Sequence, residues 1–144
     1  MRLLLDSHVV LWLLTDDRRL SASARALIGA ASAECYVSAA TWWELAIKQA
    51  RDGSRLPLPL TEIRATTLYA GVRELSVTAT HALRVTELPP LHRDPFDRML
   101  IAQAMSEPMR LVTADAQVLA YQGVCAVLMD RASEGSNYSP IPVP

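Results

Sequence analysis

Apolar runs of strand length alternate with stretches of helical periodicity along most of the chain, and this alternation restricts the fold more than any other feature. Residues 2–6, RLLLD, are continuously apolar up to the acid, the pattern of a strand buried on both faces. Further strands are expected at 35–38, 72–77, 110–113 and 124–128. Between them lie helical segments at 8–14, 21–33 (with Ser21 as candidate cap), 39–51 running to Gly53, 60–71, 78–88, 95–107 and 116–121. Strands alternating with helices argue for an α/β domain with a mainly parallel sheet and helices on both faces. In such sheets ligands bind beyond the carboxyl ends of the strands, near the point where strand order reverses.

A length of 144 residues suits one domain, placed at 1–130. Residues 131–144 lack periodicity, are rich in Ser and Pro, and read as an irregular tail. With 51% hydrophobic and 20% charged residues the chain is globular rather than disordered. A net charge of −1 excludes an overall basic field, so any nucleic-acid contact must be a local patch. Cys35 and Cys125 lack the spacing of a metal knuckle or redox pair and read as buried, reduced thiols. The N-terminus faintly resembles a signal peptide, but Asp6 and His8 interrupt its apolar run. No stretch approaches the roughly 18 apolar residues of a membrane span. The expected location is cytoplasmic.

Four acids distant in sequence are expected at one edge of this sheet. Asp6 ends the first strand, and Asp115 follows the fourth in LVTAD. Glu44 lies in the second turn of the helix after strand two. Asp97 lies in the first turn of the helix that runs into strand four. Two carboxylates about 5 Å apart repel by about 3 kcal/mol at an effective dielectric near 20. Four converging acids therefore need a cation or raised pKa values. Oxygen ligands without His or Cys suit Mg²⁺ or Mn²⁺ rather than zinc.

Each acid also has a structural reading. Asp94 before Pro95 is a natural helix cap, and Asp97 complements a helix dipole. Glu44 can pair with Lys48 at i,i+4, beside an apolar stripe of Ala39, Trp42, Trp43, Ala46, Ile47 and Ala50. Asp115 can cap the short helix after it, with Thr113 as a strand-end hydroxyl. From residue pattern alone an acidic site is plausible and its substrate open.

The blocks LLLDSH, SAATWWELAIK, HRDPFDRMLIAQA and LVTAD, in this order and spacing, resemble the PIN-domain ribonucleases. More narrowly they resemble the VapC-type toxins of bacterial type II toxin–antitoxin modules, over residues 1 to about 129. The resemblance implies a three-layer α/β/α sandwich with a parallel five-stranded sheet of order 3-2-1-4-5. Strands two and five are not neighbours in that order, so Cys35 and Cys125 would not pair. It places the family's catalytic and metal-binding acids on Asp6, Glu44, Asp97 and Asp115, with Thr113 at a hydroxyl position near the fourth acid. It implies Mg²⁺ or Mn²⁺, an RNA substrate, a homodimer and inhibition by a cognate VapB-like antitoxin.

The mechanism expected on this basis is in-line attack on an RNA phosphodiester by water that the metal activates. Asp94 is an extra acid, either the helix cap or a group reaching a second metal through water. Lys48, Arg93 and Arg98 are candidates for phosphate contact or for pairing with nearby acids. His8 and His92 receive no role as bases, and Trp42 and Trp43 are divided between core and a dimer or antitoxin surface. The rival readings are a PIN-domain ribonuclease of RNA maturation without an antitoxin and a non-catalytic module on the same fold. A haloacid-dehalogenase-type phosphohydrolase needs an acid two residues after its nucleophilic Asp, where this chain has His8.

Overall fold

The structure, a computed structural model, describes residues 1–52, 55–121 and 127–129, with the backbone alone at 52, 119 and 127–129. Its strands are β1 (Arg2–Leu5), β2 (Glu34–Ser38), β3 (Arg73–Leu75), β4 (Arg110–Thr113) and β5 (Val127–Met129). Its α-helices are α1 (Ser7–Thr15), α2 (Ala22–Ile28), α3 (Ala39–Asp52), α4 (Leu60–Tyr69), α5 (Ala79–Arg84) and α6 (Pro95–Ser106). The helix expected at 78–88 divides into α5 and a 3-10 turn at Val85–Glu87, and that expected at 116–121 is a 3-10 turn, Val118–Tyr121. Cys125 and the tail from 131 lie outside the described residues.

The α/β class and the parallel sheet are as the alternation predicts. β3, β2, β1 and β4 lie side by side in that order, and the three-residue β5 extends the sheet at the β4 edge. All neighbouring pairs are parallel. Strand order reverses between β1 and β4, whose carboxyl ends therefore frame a crevice.

Alternation along β1 and β4 feeds two apolar cores. Leu4 and Leu111 face one core with Leu100, Ile101, Ala104 and Tyr121. Leu3, Leu5 and Val112 face the other with Val9, Val10, Leu20 and Cys35. Leu3, Leu4 and Leu5 are all fully buried, which is why β1 reads as an unbroken apolar run. Cys35 is a free, buried thiol whose pKa burial pushes up.

One expectation about α3 is corrected. Its buried side is Ala40, Thr41, Glu44 and Leu45, while Trp43 is 64% exposed and Ala46 and Ala50 face outward. The apolar stripe read from the sequence misplaced the inward face because Glu44 itself is turned inward, with Lys48 Nζ 3.3 Å from its carboxylate. Trp42 is half-buried, and its indole N–H donates to Glu74 Oε2 at 2.7 Å.

Candidate active site

Asp6 leaves β1 and caps α1. Its Oδ1 accepts the Val9 N–H at 2.9 Å, and its other oxygen accepts the Thr113 hydroxyl from the end of β4. Thr113 Oγ1 in turn accepts the Asp115 N–H at 3.0 Å. One hydroxyl thus locks the two strand ends on either side of the crevice. Burial raises the Asp6 pKa above its usual value, although the bonds from Thr113 and Val9 and the charge of His8 act against it. His8 itself is exposed and its ring leans on Trp12, 5.8 Å between centroids.

Asp94 is the cap of α6. It accepts the N–H of Phe96 at 2.8 Å and of Asp97 at 3.3 Å, and Pro95 follows in the first turn. The cap aims the first turn at the crevice, so Asp97 joins the β1 and β4 acids. Burial, then the charges of Asp94 and Asp115, push Asp97 up to about 7, with Asp6 adding to the effect and His92 opposing it.

Asp115 sits differently. Partial burial opposes its ionisation, but the Gln117 N–H at 2.8 Å and the His92 imidazole outweigh that and hold its pKa below the usual carboxylate value.

His92 completes this cluster and was not assigned from the sequence. Its Nε2 lies 2.8 Å from Asp97 Oδ2 and 3.2 Å from Asp115 Oδ2. Its Nδ1 accepts the Asp94 N–H at 3.3 Å, which puts the ring proton on Nε2, between the two carboxylates. Tyr121, fully buried, places the loop: its hydroxyl accepts the N–H of Leu91 and His92 and donates to Pro89 O at 2.8 Å. The sequence put His92 near the predicted sheet edge but gave it no role.

Among the described residues, one group has metal-binding spacing: His92, Asp97 and Asp115, their ligand atoms within 4.8 Å of one another. Asp6 is close enough to act on Asp97 through its charge. Glu44 is buried with Lys48 as its ion-pair partner and is not part of that group. Buried on the same face one turn earlier, Thr41 has a hydroxyl without a hydrogen-bond partner.

The phosphate candidates separate as well. Arg93 is exposed, and Lys48 is paired with Glu44. Arg98 is corrected to a structural role. Its guanidinium donates to the carbonyls of Val85, Pro89 and His92 and to the Tyr121 hydroxyl, leaving the loop before α6 pinned and Arg98 spent. Beside the acids, Trp43 stands edge-on to Phe96 at 5.3 Å, at the rim of an apolar hollow of about 460 Å³ that includes Val77 and Met99.

This donor set suits a divalent cation. Burial first, and then the neighbouring carboxylates, disfavour the charge on Asp97, and a cation placed among these acids offsets both.

Comparison with known proteins bears on the fold and the family. The family described as PIN domain matches residues 3–123. Ribonuclease VapC22 of Mycobacterium tuberculosis is 33% identical over 120 residues, 83% of this chain and 91% of that one. Among solved structures, VapBC2 from Rickettsia felis, bound to a DNA fragment from its promoter, matches with a TM-score of 0.63 at 13% identity, covering 88% of this chain and 97% of that one. VapBC-1 from nontypeable Haemophilus influenzae gives 0.62 at 18% identity, covering 90% and 98%. At these identities the structural likeness speaks for the fold.

Proposed function

The chain belongs to the PIN-domain family, in its VapC-type branch, and on that premise we propose that it is a metal-dependent endoribonuclease, the toxin of a toxin–antitoxin pair. The observation that carries the reading is the crowding of Asp6, Asp97 and Asp115 where strand order reverses, with burial and the neighbouring acids together disfavouring the charge on Asp97.

Asp97 and Asp115 would hold Mg²⁺ or Mn²⁺, with Asp6 behind them and Glu44 at the margin. The bound ion would acidify water and offset charge on the phosphoryl oxygens during in-line displacement. The protein's own share is positional. Thr113 fixes Asp6 and the Asp115 backbone in one frame, the Asp94 cap directs Asp97, and Tyr121 with Arg98 sets the loop bearing His92. Arg93 is the exposed cation nearest in sequence to these acids, and Lys48 would become available to a phosphate if Glu44 turned to the metal.

The domain is assigned to residues 1–130 and the remainder to a tail. Among the described residues no helix is long and apolar enough to cross a membrane. A cytoplasmic site of action is proposed with the RNA target. A cognate VapB-like antitoxin and a second copy of the chain are the expected protein partners. The exposed Trp43 and its hollow offer an apolar surface for one of them. A stable monomer at micromolar concentration in light scattering would count against the homodimer.

The test is cleavage of structured RNAs by the purified chain with Mg²⁺, with Mn²⁺ and with EDTA, beside Asp6→Asn and Asp97→Asn. Cleavage is expected in the wild type with metal alone. Equal cleavage under all conditions would sink the metal mechanism. A small gene immediately upstream encoding a DNA-binding protein would favour the toxin over a ribonuclease of RNA maturation.

A further inference from the structure

We propose that His92 Nε2 is a direct ligand of the cation, beside Asp97 and Asp115, and that this nitrogen shifts the site's preference from Mg²⁺ towards Mn²⁺. The inference rests on the metal-dependent reading above and departs from an all-carboxylate site.

Three observations carry it. The first is spacing. An octahedral ion with bonds of about 2.1 Å sets adjacent ligand atoms about 3.0 Å apart. The Nε2 distances of 2.8 Å to Asp97 Oδ2 and 3.2 Å to Asp115 Oδ2 bracket that value, and all three ligand atoms lie within 4.8 Å of one another.

The second is that the ring has little freedom to leave. Its side chain is 8% exposed. Its Nδ1 takes the Asp94 N–H, its backbone N–H donates to Tyr121 at 2.8 Å, and its carbonyl accepts from Arg98. A histidine whose far nitrogen is fixed by a backbone group presents the other nitrogen in a set direction, as metal-binding histidines do.

The third is that the remaining acids are committed elsewhere. Asp6 is tied to Thr113 and to the start of α1, and Glu44 to Lys48. The nearest complete set is therefore one nitrogen and two carboxylates. Mg²⁺ keeps to oxygen, whereas imidazole favours first-row transition ions, of which Mn²⁺ also accepts carboxylates. On binding, the ion takes the place of the Nε2 proton, which passes to solvent.

The experiment measures Mn²⁺ and Mg²⁺ binding at one fixed pH for wild type, His92→Ala, His92→Gln and Asp97→Asn, with thermal melts to confirm folding. Electron spin-echo modulation of bound Mn²⁺ reports directly on a coordinated imidazole nitrogen. The expected result is nitrogen modulation in the wild type, absent in both His92 variants. Mn²⁺ affinity should fall by about 10-fold or more in both, with a smaller loss for Mg²⁺. Glutamine keeps a hydrogen-bond donor for the acids, so recovery of Mn²⁺ affinity and unmodulated spectra in His92→Gln would reduce His92 to a hydrogen-bonding partner and overturn the proposal. Tighter Mn²⁺ binding in His92→Ala would overturn it too, since the ring would then only obstruct the ion. Failure of the wild type to bind Mn²⁺, or undiminished binding by Asp97→Asn, would instead remove the metal site altogether.

Discussion

The two ends of α6 carry the same device with different outcomes. At the far end His81, 1% exposed, accepts the Thr78 N–H on Nδ1 and points Nε2 at Glu107 Oε1, 2.8 Å away. At the near end His92 accepts the Asp94 N–H on Nδ1 and points Nε2 at Asp97 and Asp115. His81 meets one carboxylate, and Gln103 packs its amide against the ring, 3.4 Å from Nδ1. That balance makes a tie between α5 and α6. His92 meets two carboxylates with Asp94 and Asp6 close by, which leaves negative charge in excess. One imidazole per carboxylate builds structure, whereas one imidazole among several carboxylates leaves room for a cation.

The largest expected effect comes from removing the excess. Asp97→Asn should reduce Mn²⁺ binding and RNA cleavage on the order of 100-fold or to the EDTA background, read by calorimetry and a cleavage assay. It should also stabilise the metal-free protein at high pH. A carboxyl whose folded pKa lies near 7, above the usual 3.8, favours the folded state fully below about pH 4. That contribution is lost as pH rises through 7. Asparagine has no charge to bury, so Asp97→Asn should exceed wild type by about 1–2 kcal/mol at about pH 8 in EDTA. A loss of stability at that pH would show that Asp97 is a structural acid.

His81→Ala tests the opposite end. It strands the Thr78 N–H, removes the tie to Glu107 and leaves a cavity beside Gln103, at a cost of about 2–4 kcal/mol in urea unfolding. Mn²⁺ affinity should be unchanged below the melting temperature. Coupling of the two would break the contrast between tie and site.

Thr113→Val is smaller again. It removes the hydroxyl that joins Asp6 to the Asp115 backbone, for about 1–3 kcal/mol. Because that bond lowers the Asp6 pKa, its loss raises the value further and should shift Mn²⁺ binding to higher pH.

The parallel sheet and the place of Asp6, Asp97 and Asp115 were legible because continuous apolar runs, helical spacing and strand-end acids are local patterns, whereas the strand order came only from the family resemblance. The face of α3 was not. Apolar residues lie all round that helix, and only the buried Glu44–Lys48 pair shows which side turns inward. Arg98 looked like a phosphate ligand because sequence shows its charge and not the three backbone carbonyls that occupy it. His92 was placed near the site edge but given no role, for a related reason. Its value comes from Asp115, 23 residues away, and from a Tyr121 hydroxyl that holds its backbone.

Asp94 joins both sides of the comparison in one side chain, and Asp94→Ala gives the smallest and most informative change. As the cap it accepts two N–H groups, so its loss should cost about 1 kcal/mol in urea unfolding. As a neighbouring charge it is the second cause, after burial, of the raised Asp97 pKa. Removing it lets Asp97 ionise more readily, so the pH at which Mn²⁺ binding is half-developed should move below its wild-type value. Asp94→Asn separates the two effects, since asparagine caps a helix about as well but carries no charge. It should keep the stability and still show the shifted binding. If Asp94→Asn instead weakens Mn²⁺ at every pH, Asp94 contacts the ion or its water directly and is more than the start of a helix.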